Sequence, residues 1–461
     1  MNNELLSKIL KPFLKSSHLT FKDEITQATT NLQLAGLESI AFYNIPNSEK
    51  AENLFHQRLK DSKCRNIITN RNIKVSNCNV WIIEYSDFLT VQKLVCDNLY
   101  PDNKSLKLVG ITGTNGKTTT SFLAMQIASM LNFPSLSIGT IGIRSVDGVV
   151  EKDLLSTTPS YLELRKIIHK YQKSYKFLFI EISSHALDQK RLFDIELELG
   201  AWTSFSQDHL DYHKNFSEYF NAKLLLQKNL KNQAIYVPSS ETDLIAKFVE
   251  KSVQHKVIDL FYSENLSVGF KAKYNQANLG ISIALIKELT GHELKSEELA
   301  QIVLPDGRFD PIVFGEHIVV VDYAHTPDAL ENICKTIQCD FSEYNLVIVF
   351  GCGGDRDKGK RPLMGSIASR YANSLIVTSD NPRTENPEAI IDDIVSGVNI
   401  SFIREEDRLK AIQLSLTDLK KKSIVLIAGK GHEDYQEING VKHHFSDSET
   451  IQQIIKEIKD V

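Results

Sequence analysis

LVGITGTNGKTTT, running from Leu108 to Thr120, decides the fold. A short apolar run breaks into a glycine turn and then into Ser121-Phe-Leu-Ala-Met-Gln-Ile-Ala, a stretch of helical character. Strand, turn and helix in that order make a phosphate cradle. Gly113 and Gly116 let backbone N–H groups converge on an anion, Lys117 adds a mobile positive charge, and Thr118 can offer its hydroxyl to a magnesium ion. Thr114, Asn115 and Thr119 complete the loop. The usual spacing puts a first glycine at position 111, where Ile111 stands, so the loop is a variant whose tight element is Gly113 to Thr118. The expectation is a nucleotide site on a parallel sheet with helices on its faces.

Working outward, the 461 residues are enough for about three domains. With 42% hydrophobic and 24% charged residues the chain has the composition of a globular protein with ample core. Its net charge of −5 offers no basic field for nucleic acid. Six cysteines, at 64, 78, 96, 334, 339 and 352, show neither C-x-x-C spacing nor a disulfide framework, which fits reduced thiols in the cytoplasm. No apolar stretch reaches the roughly 18 residues of a membrane helix. A cytoplasmic monomer with small-molecule substrates, no membrane partner and no nucleic acid is expected.

Upstream, residues 1–100 read as a small mixed α/β domain. Leu5 to Leu14 has apolar residues at helical spacing, and 40–43, 66–69 and 80–85 read as short strands. No chemical motif stands in it. Residues 101–305 continue the loop's domain: a strand over 135–142, a turn at Ser156-Thr157-Thr158-Pro-Ser opening a helix over 161–171, and an apolar strand that ends in Glu181-Ile-Ser183-Ser-His185. A further strand over 199–206 delivers Asp208-His209-Leu-Asp211-Tyr-His213 ahead of a helix beginning at Ser217. Ligands of such sheets bind beyond the carboxyl ends of the strands, so Glu181 is placed to hold a cation or to pair with Lys190 or Arg191. Glu181, His209 and the Thr118 hydroxyl form an oxygen-rich set suited to Mg²⁺ or Mn²⁺. The 208–213 string also has a zinc-like composition, but magnesium neutralises charge beside a phosphate loop. Lys223, as a lone helical lysine, is expected at the surface.

Residues 306–461 form a second α/β unit after Pro305-Asp-Gly-Arg308. Its strands, over 317–322, 345–350, 374–379 and 423–428, each end in charge: Asp322-Tyr-Ala-His325, Gly351-Cys-Gly-Gly-Asp355-Arg356, Asp380-Asn381-Pro382-Arg383 and Gly429-Lys430-Gly-His432-Glu433. Four ends at one edge of a sheet define a pocket, and its mixture of Arg, Lys and Asp suits a zwitterion.

Taken together these motifs resemble the Mur ligases, which add amino acids to the peptidoglycan precursor, and within them the diaminopimelate-adding branch. The resemblance covers residues 105–461 and rests on GTNGKTTT, TTP, E-x-SSH-x-L-x-Q-x-R, DHLDYH, DYAHTPDAL, GCGGDRDKGKRP, DNPR and GKGHEDYQ in order. It implies an N-terminal uridine-nucleotide-binding domain (1–100), a central P-loop-type ATPase domain (101–305) and a C-terminal Rossmann-like domain (306–461). It further implies ATP on Gly113 to Thr119, met also by Arg308, Asp322 and His325, with Lys117 on the β and γ phosphates. By the same resemblance Mg²⁺ falls to Thr118, Glu181, His209 and a carbamylated Lys223, which replaces the surface reading of that lysine. Lys117, Lys223 and His209 take catalytic roles. Thr157, Thr158, Ser183, Gln189 and Arg191 would grip UDP-N-acetylmuramoyl-L-alanyl-D-glutamate. Arg356, Asp380, Asn381, Pro382, Arg383, Gly429 and Glu433 would hold meso-diaminopimelate. Two other activities share this chemistry, addition of L-lysine and folylpolyglutamate synthesis; DNPR and GKGHEDYQ argue against both. A binding or regulatory protein without turnover is a further alternative, against which the complete set of Lys117, Glu181, His209 and Lys223 argues. The first domain departs from the pattern, for the D-S-R string with which similar ligases hold uridine is missing.

Overall fold

In the computed structural model, parallel pairing starts in the N-terminal hundred residues. Helix α1 (Asn3–Leu10) and strands β1 (Leu14–His18), β2 (Gln27–Thr29) and β3 (Ser39–Tyr43) lead into α2 (Glu49–Lys60), β4 (Asn66–Thr69), β5 (Asn79–Ile83) and α3 (Phe88–Leu99). The sheet order is β1-β5-β4-β3-β2, with only β1 antiparallel to its neighbour. The strands expected over 40–43 and 66–69 are present, and 80–85 is shortened at Ile83. Buried Asn66 and Asn79 bind each other at 2.8 Å, and Asn79 Oδ1 accepts from the N–H groups of Thr20 and Phe21. Such pairing lets two amides sit in a core without stranded donors. The structure describes residues 1–73, 75–152, 156–206, 208–417, 419 and 421–459; Gln207, and the side chains of Leu210 and Asp211, lie outside what it describes.

The middle of the chain runs β6 (Lys107–Thr112), α4 (Lys117–Met130), β7 (Ser135–Gly139), β8 (Gly142–Ser145), β9 (Gly148–Glu151), α5 (Tyr161–Tyr171), β10 (Phe177–Glu181), α6 (Ser184–Asp188), β11 (Leu199–Trp202), α7 (Leu210–His213), α8 (Phe216–Leu224), β12 (Ile235–Pro238), α9 (Thr242–Glu250), β13 (His255–Ile258) and α10 (Lys273–Thr290). Its eight-stranded sheet has the order β13-β12-β11-β6-β10-β7-β8-β9. Strand β10 is parallel to both β6 and β7, as the alternation of strand and helix requires. The single strand expected over 135–142 is instead two, because the chain turns at Thr140-Ile141 and β8 returns antiparallel to β7. Helix α5 starts where expected and carries a capping box, Ser160 with Glu163.

The remainder comprises β14 (Asp310–Phe314), β15 (His317–Asp322), α11 (Pro327–Asp340), β16 (Asn345–Phe350), α12 (Lys360–Tyr371), β17 (Ser374–Val377), α13 (Pro387–Val395), β18 (Ile403–Arg404), α14 (Arg408–Leu416), β19 (Ser423–Ala428), the hairpin β20 (Tyr435–Ile438) and β21 (Val441–His444), and α15 (Asp447–Lys459). The sheet order is β14-β15-β19-β16-β17-β18, parallel throughout except for β14. Alternation along each strand divides the side chains between two cores. Ile318, Val320, Leu346, Ile348, Ile424 and Leu426 meet α11, α12 and α13, whereas Val319, Val321, Val347, Val349, Val425 and Ile427 meet α14 and α15. A sheet covered on both faces reads as near-continuous apolar runs, and this is why β15, β16 and β19, with β17 beside them, stand out in the sequence.

By its internal contacts the chain divides into two compact units: Met1–Thr112, Ala128–Gly200 and Ser217–Ala234 in one, and Gly113–Ile127, Ala201–Phe216 and Ile235–Val461 in the other.

Candidate active site

Within the second unit, the glycine loop is tied to the residues that follow β11. Thr114 N donates to Ser204 O at 2.9 Å, Asn115 N to Ser204 Oγ at 2.9 Å, and Thr114 Oγ1 exchanges bonds with Ser206 at 3.1 Å. Gly116 has φ +85, and a Cβ there would lie 2.4 Å from Asn278 Oδ1 on α10, so only glycine fits both the conformation and the space. Lys117 Nζ donates to the carbonyls of Gly113 and Thr114, both at 2.8 Å. Thr118 and Thr119 open α4 and are buried. His209 lies beyond the same strand in the left-handed region at φ +53, with its ring 3.4 Å from Asp208.

Within the first unit, the residues expected to grip the second substrate form one hydrogen-bonded cluster. Thr158 Oγ1 donates to Glu181 O at 2.8 Å and accepts from Ser183 N at 3.0 Å. Arg191 Nη1 donates to Thr158 O at 2.6 Å and to Ser156 Oγ at 3.0 Å, while Nε and Nη2 reach Gln189 Oε1 at 3.1 and 2.8 Å. Thr157 Oγ1 meets Thr140 Oγ1 at 3.2 Å, and Thr140 in turn binds the Glu181 carboxylate through its N–H at 3.1 Å and its hydroxyl at 3.3 Å. Thr140, in the turn that ends β7, had no motif to mark it.

Lys223 is not at the surface where a lone helical lysine is expected, a reading that the family resemblance had already replaced. It is 1% exposed, on a face of α8 that also buries Tyr219, Phe220 and Ala222, and its Nζ lies 4.8 Å from the Tyr219 ring centre. An ammonium group in such a place is costly, whereas a carbamate on the same nitrogen would be a hard anionic ligand. Glu181, 1% exposed, is likewise suited to a hard cation. Among the described residues no group of three His, Cys, Asp or Glu is placed to share a metal ion.

The strand ends of the second unit's six-stranded sheet are organised by charge. Asp322, at the end of β15, accepts from the N–H groups of Phe309 and Ala324, both at 2.8 Å. Burial pushes its carboxyl up, and Arg308 and those two donors oppose the shift. Arg308 stacks over the Tyr323 ring at 4.9 Å, and His325 Nδ1 meets Tyr323 O at 2.8 Å. After β17, Asn381 Nδ2 donates to Glu433 Oε2 at 2.8 Å, and Glu437 N donates to Asn381 Oδ1 at 2.8 Å. Pro382 is followed by Arg383 at φ +52, held there because Arg383 N binds Glu437 O and Asn439 N binds Arg383 O. The guanidinium reaches Gly354 O at 2.8 Å and Glu437 at 3.4 Å, and Arg356 stands beside it along Gly353. Gly429 has φ +117, and a Cβ there would lie 2.6 Å from Asp380 Oδ2. Burial and then Asp380 raise the Glu433 carboxyl, with Lys430 and Asn381 opposing.

Reading residues one strand end at a time missed the groups that lock these ends together. Arg361 is fully buried and joins Glu385, Asp393 and Gly353 O. Arg408 and Asp447, both fully buried, pair at 2.7 Å, and Arg408 also reaches Ser379 O and Ala428 O. The β20–β21 hairpin that holds Arg383 has a mostly half-buried first strand, Tyr-Gln-Glu-Ile, and an exposed second, Val-Lys-His-His, and gave little strand signal.

A phosphate loop on a parallel sheet, and a second parallel sheet whose strand ends pair carboxylates with cations, define a nucleotide-dependent ligase of the α/β class. Two family models match the chain, the Mur ligase middle domain over residues 111–303 and the Mur ligase glutamate ligase domain over 307–431. A UDP-N-acetylmuramoyl-L-alanyl-D-glutamate–2,6-diaminopimelate ligase of Clostridium acetobutylicum is 36% identical over 84% of this chain and 85% of its own length. A ligase of the same name from Aquifex aeolicus is 38% identical over 77% and 78%. The solved structure of a further ligase of that name superposes with a TM-score of 0.60 at 30% identity, covering 94% of this chain and 95% of its own. The chain belongs to the Mur ligase family.

Proposed function

We propose that this protein joins meso-diaminopimelate to the γ-carboxylate of the D-glutamate in UDP-N-acetylmuramoyl-L-alanyl-D-glutamate, at the expense of ATP, as a step of cell-wall precursor synthesis in the cytoplasm. The observation that carries the choice of amino acid is the Asp380–Arg383 strand end. Its arginine is held in a left-handed backbone conformation with Glu437 and the Gly354 carbonyl as partners, and a guanidinium there could fork a distal carboxylate that lysine lacks. A distal carboxylate would add charge-assisted bonds that lysine does not supply, so discrimination against lysine is expected to be at least about tenfold.

In this reading the chain is divided into domains 1–100, 101–305 and 306–461. ATP sits on Gly113 to Thr119 with Lys117 on the β and γ phosphates, and Arg308, Asp322 and His325 meet the nucleotide as well. The Thr158–Ser183–Gln189–Arg191 cluster with Thr157 binds the muramoyl dipeptide. Thr118, Glu181, His209 and carbamylated Lys223 would hold Mg²⁺, which neutralises charge on the transferred phosphoryl group when bound. A γ-carboxylate oxygen attacks the γ-phosphorus in line, its bond to the β–γ bridging oxygen breaks, and ADP leaves an acyl phosphate. The free amine of the amino acid then attacks the acyl carbon, the tetrahedral adduct expels phosphate, and the nitrogen loses a proton as the amide forms. Lys117 stabilises the charge of the first step, and exclusion of water protects the acyl phosphate.

Phosphate release and product mass, measured with ATP and the muramoyl dipeptide and with meso-diaminopimelate or L-lysine as acceptor, test the reading. A parallel reaction with tetrahydrofolate and glutamate tests the folate alternative. Turnover confined to meso-diaminopimelate is expected. Equal efficiency with lysine, or turnover with the folate pair, overturns it.

A further inference from the structure

Lys430 sits in the Gly429–Glu433 strand end, yet nothing so far gives it a task. Its side chain is fully buried, and its Nζ lies 3.3 Å from Asn381 Oδ1, 3.5 Å from Glu433 Oε2 and 3.6 Å from Asp380 Oδ1. Asp380 Oδ1 is buried and has no hydrogen-bond partner among the described residues, so the lysine is its nearest compensation. Glu433 Oε2 is shared between Lys430 and Asn381 Nδ2. One buried cation therefore bridges two carboxylates of the amino-acid pocket.

The charged groups gathered around Lys430 come from the ends of β16, β17 and β19 and from the hairpin. Asp380, Glu433 and Glu437 are negative; Lys430, Arg383 and Arg356 are positive. The Arg408–Asp447 pair beneath them is internally neutral. Lys360, at the start of α12, also acts on Asp380, and Lys430 is the cation of this edge that lies wholly inside the protein, between the two carboxylates. We propose that Lys430 is a specificity-determining positioning residue, which cancels one of the two carboxylates so that the pocket matches an amino acid with a zwitterionic side-chain end over one with a bare ammonium. The inference rests on the proposed function and deepens it. The distal end of meso-diaminopimelate carries an ammonium and a carboxylate and is neutral in sum; the distal end of lysine carries a single positive charge. Without Lys430 the pocket is one charge more negative and Asp380 and Glu433 lose the cation between them, which repels the distal carboxylate and attracts the lysine ammonium. Specificity then falls from both sides at once.

The test uses the full chain with ATP and the muramoyl dipeptide, comparing Lys430→Met, Asp380→Asn and the double variant by steady-state kinetics with meso-diaminopimelate and with L-lysine. Thermal melting and ADP binding check the fold. Lys430→Met is expected to raise KM for meso-diaminopimelate about tenfold with kcat changed less than about threefold, and to lower the kcat/KM preference over lysine by about tenfold or more. Restoring the balance with Asp380→Asn in the same chain is expected to recover part of that preference, which loss of packing would not. Unchanged kinetics, or a proportional loss with both amino acids that the second substitution does not repair, overturns the proposal. If Lys430→Met fails to fold, Asp380→Asn alone decides: it makes the pocket one charge more positive and is expected to penalise lysine further, and an unchanged or smaller preference counts against the proposal. A wild-type chain that does not turn over meso-diaminopimelate at all sinks the functional reading, and the inference with it.

Discussion

The phosphate loop and the amino-acid pocket are built in opposite ways. Gly113 to Thr119 is one contiguous segment whose backbone, in the proposed function, meets the phosphates, and its support is a set of neutral hydrogen bonds with Ser204 and Ser206. The pocket gathers residues from positions 353 to 437, and ion pairs hold its pieces in register: Arg361 with Glu385 and Asp393, Lys430 with Asp380 and Glu433, Arg383 with Glu437. The loop is therefore a local device that salt and pH should hardly disturb, and the pocket is a device of balanced charge that both should disturb.

The largest effect expected from this contrast is on the loop's single cation. Lys117→Ala should lower turnover by about a thousandfold or more while leaving thermal stability close to wild type, because its bonds to Gly113 O and Thr114 O are one part of a well-tied loop. Turnover within a few-fold of wild type, measured by phosphate release, would remove the loop from the chemistry. On the pocket side, burial and Asp380 raise the Glu433 carboxyl above the usual range, so it takes up a proton at a higher pH than an ordinary glutamate does. The KM for the amino acid should therefore rise as pH falls toward mildly acidic values, while the KM for ATP stays flat; parallel curves for the two substrates would erase the contrast. The smallest effect concerns stability. Arg361 holds the Glu385 carboxyl down to about 2, below its ordinary 4.5, so the ionised form favours the folded state. That contribution is complete above the ordinary value and is lost as pH falls through about 2. Acid unfolding of Glu385→Gln should accordingly be less steep over this range than that of wild type, by calorimetry or circular dichroism.

Much of this molecule was legible because its motifs sit at strand ends. Strands β6, β10, β15, β16, β17 and β19 are apolar runs closed by glycine or by charge, so their positions and the chemistry at their carboxyl ends could be read together. Where the signal is weak the reading erred in understandable ways. Residues 135–142 look like one strand because a turn at Thr140-Ile141 uses no proline or asparagine. Strand β14 pairs antiparallel at an edge with half-exposed residues, and β21 is exposed throughout, so neither has the apolar signature of a covered strand.

The chain by itself determined the α/β class, the parallel central and C-terminal sheets, the phosphate loop and the set of residues that meets at each strand end, since each of these depends on hydrophobic period and on neighbours within a few positions. Only the tertiary structure decided that Thr140 serves Glu181, that a hairpin holds Arg383 in a left-handed conformation and that Lys430 bridges Asp380 and Glu433. Those outcomes turn on burial and on pairs separated by tens of residues, and the cost of a buried charge is set by what the fold brings beside it.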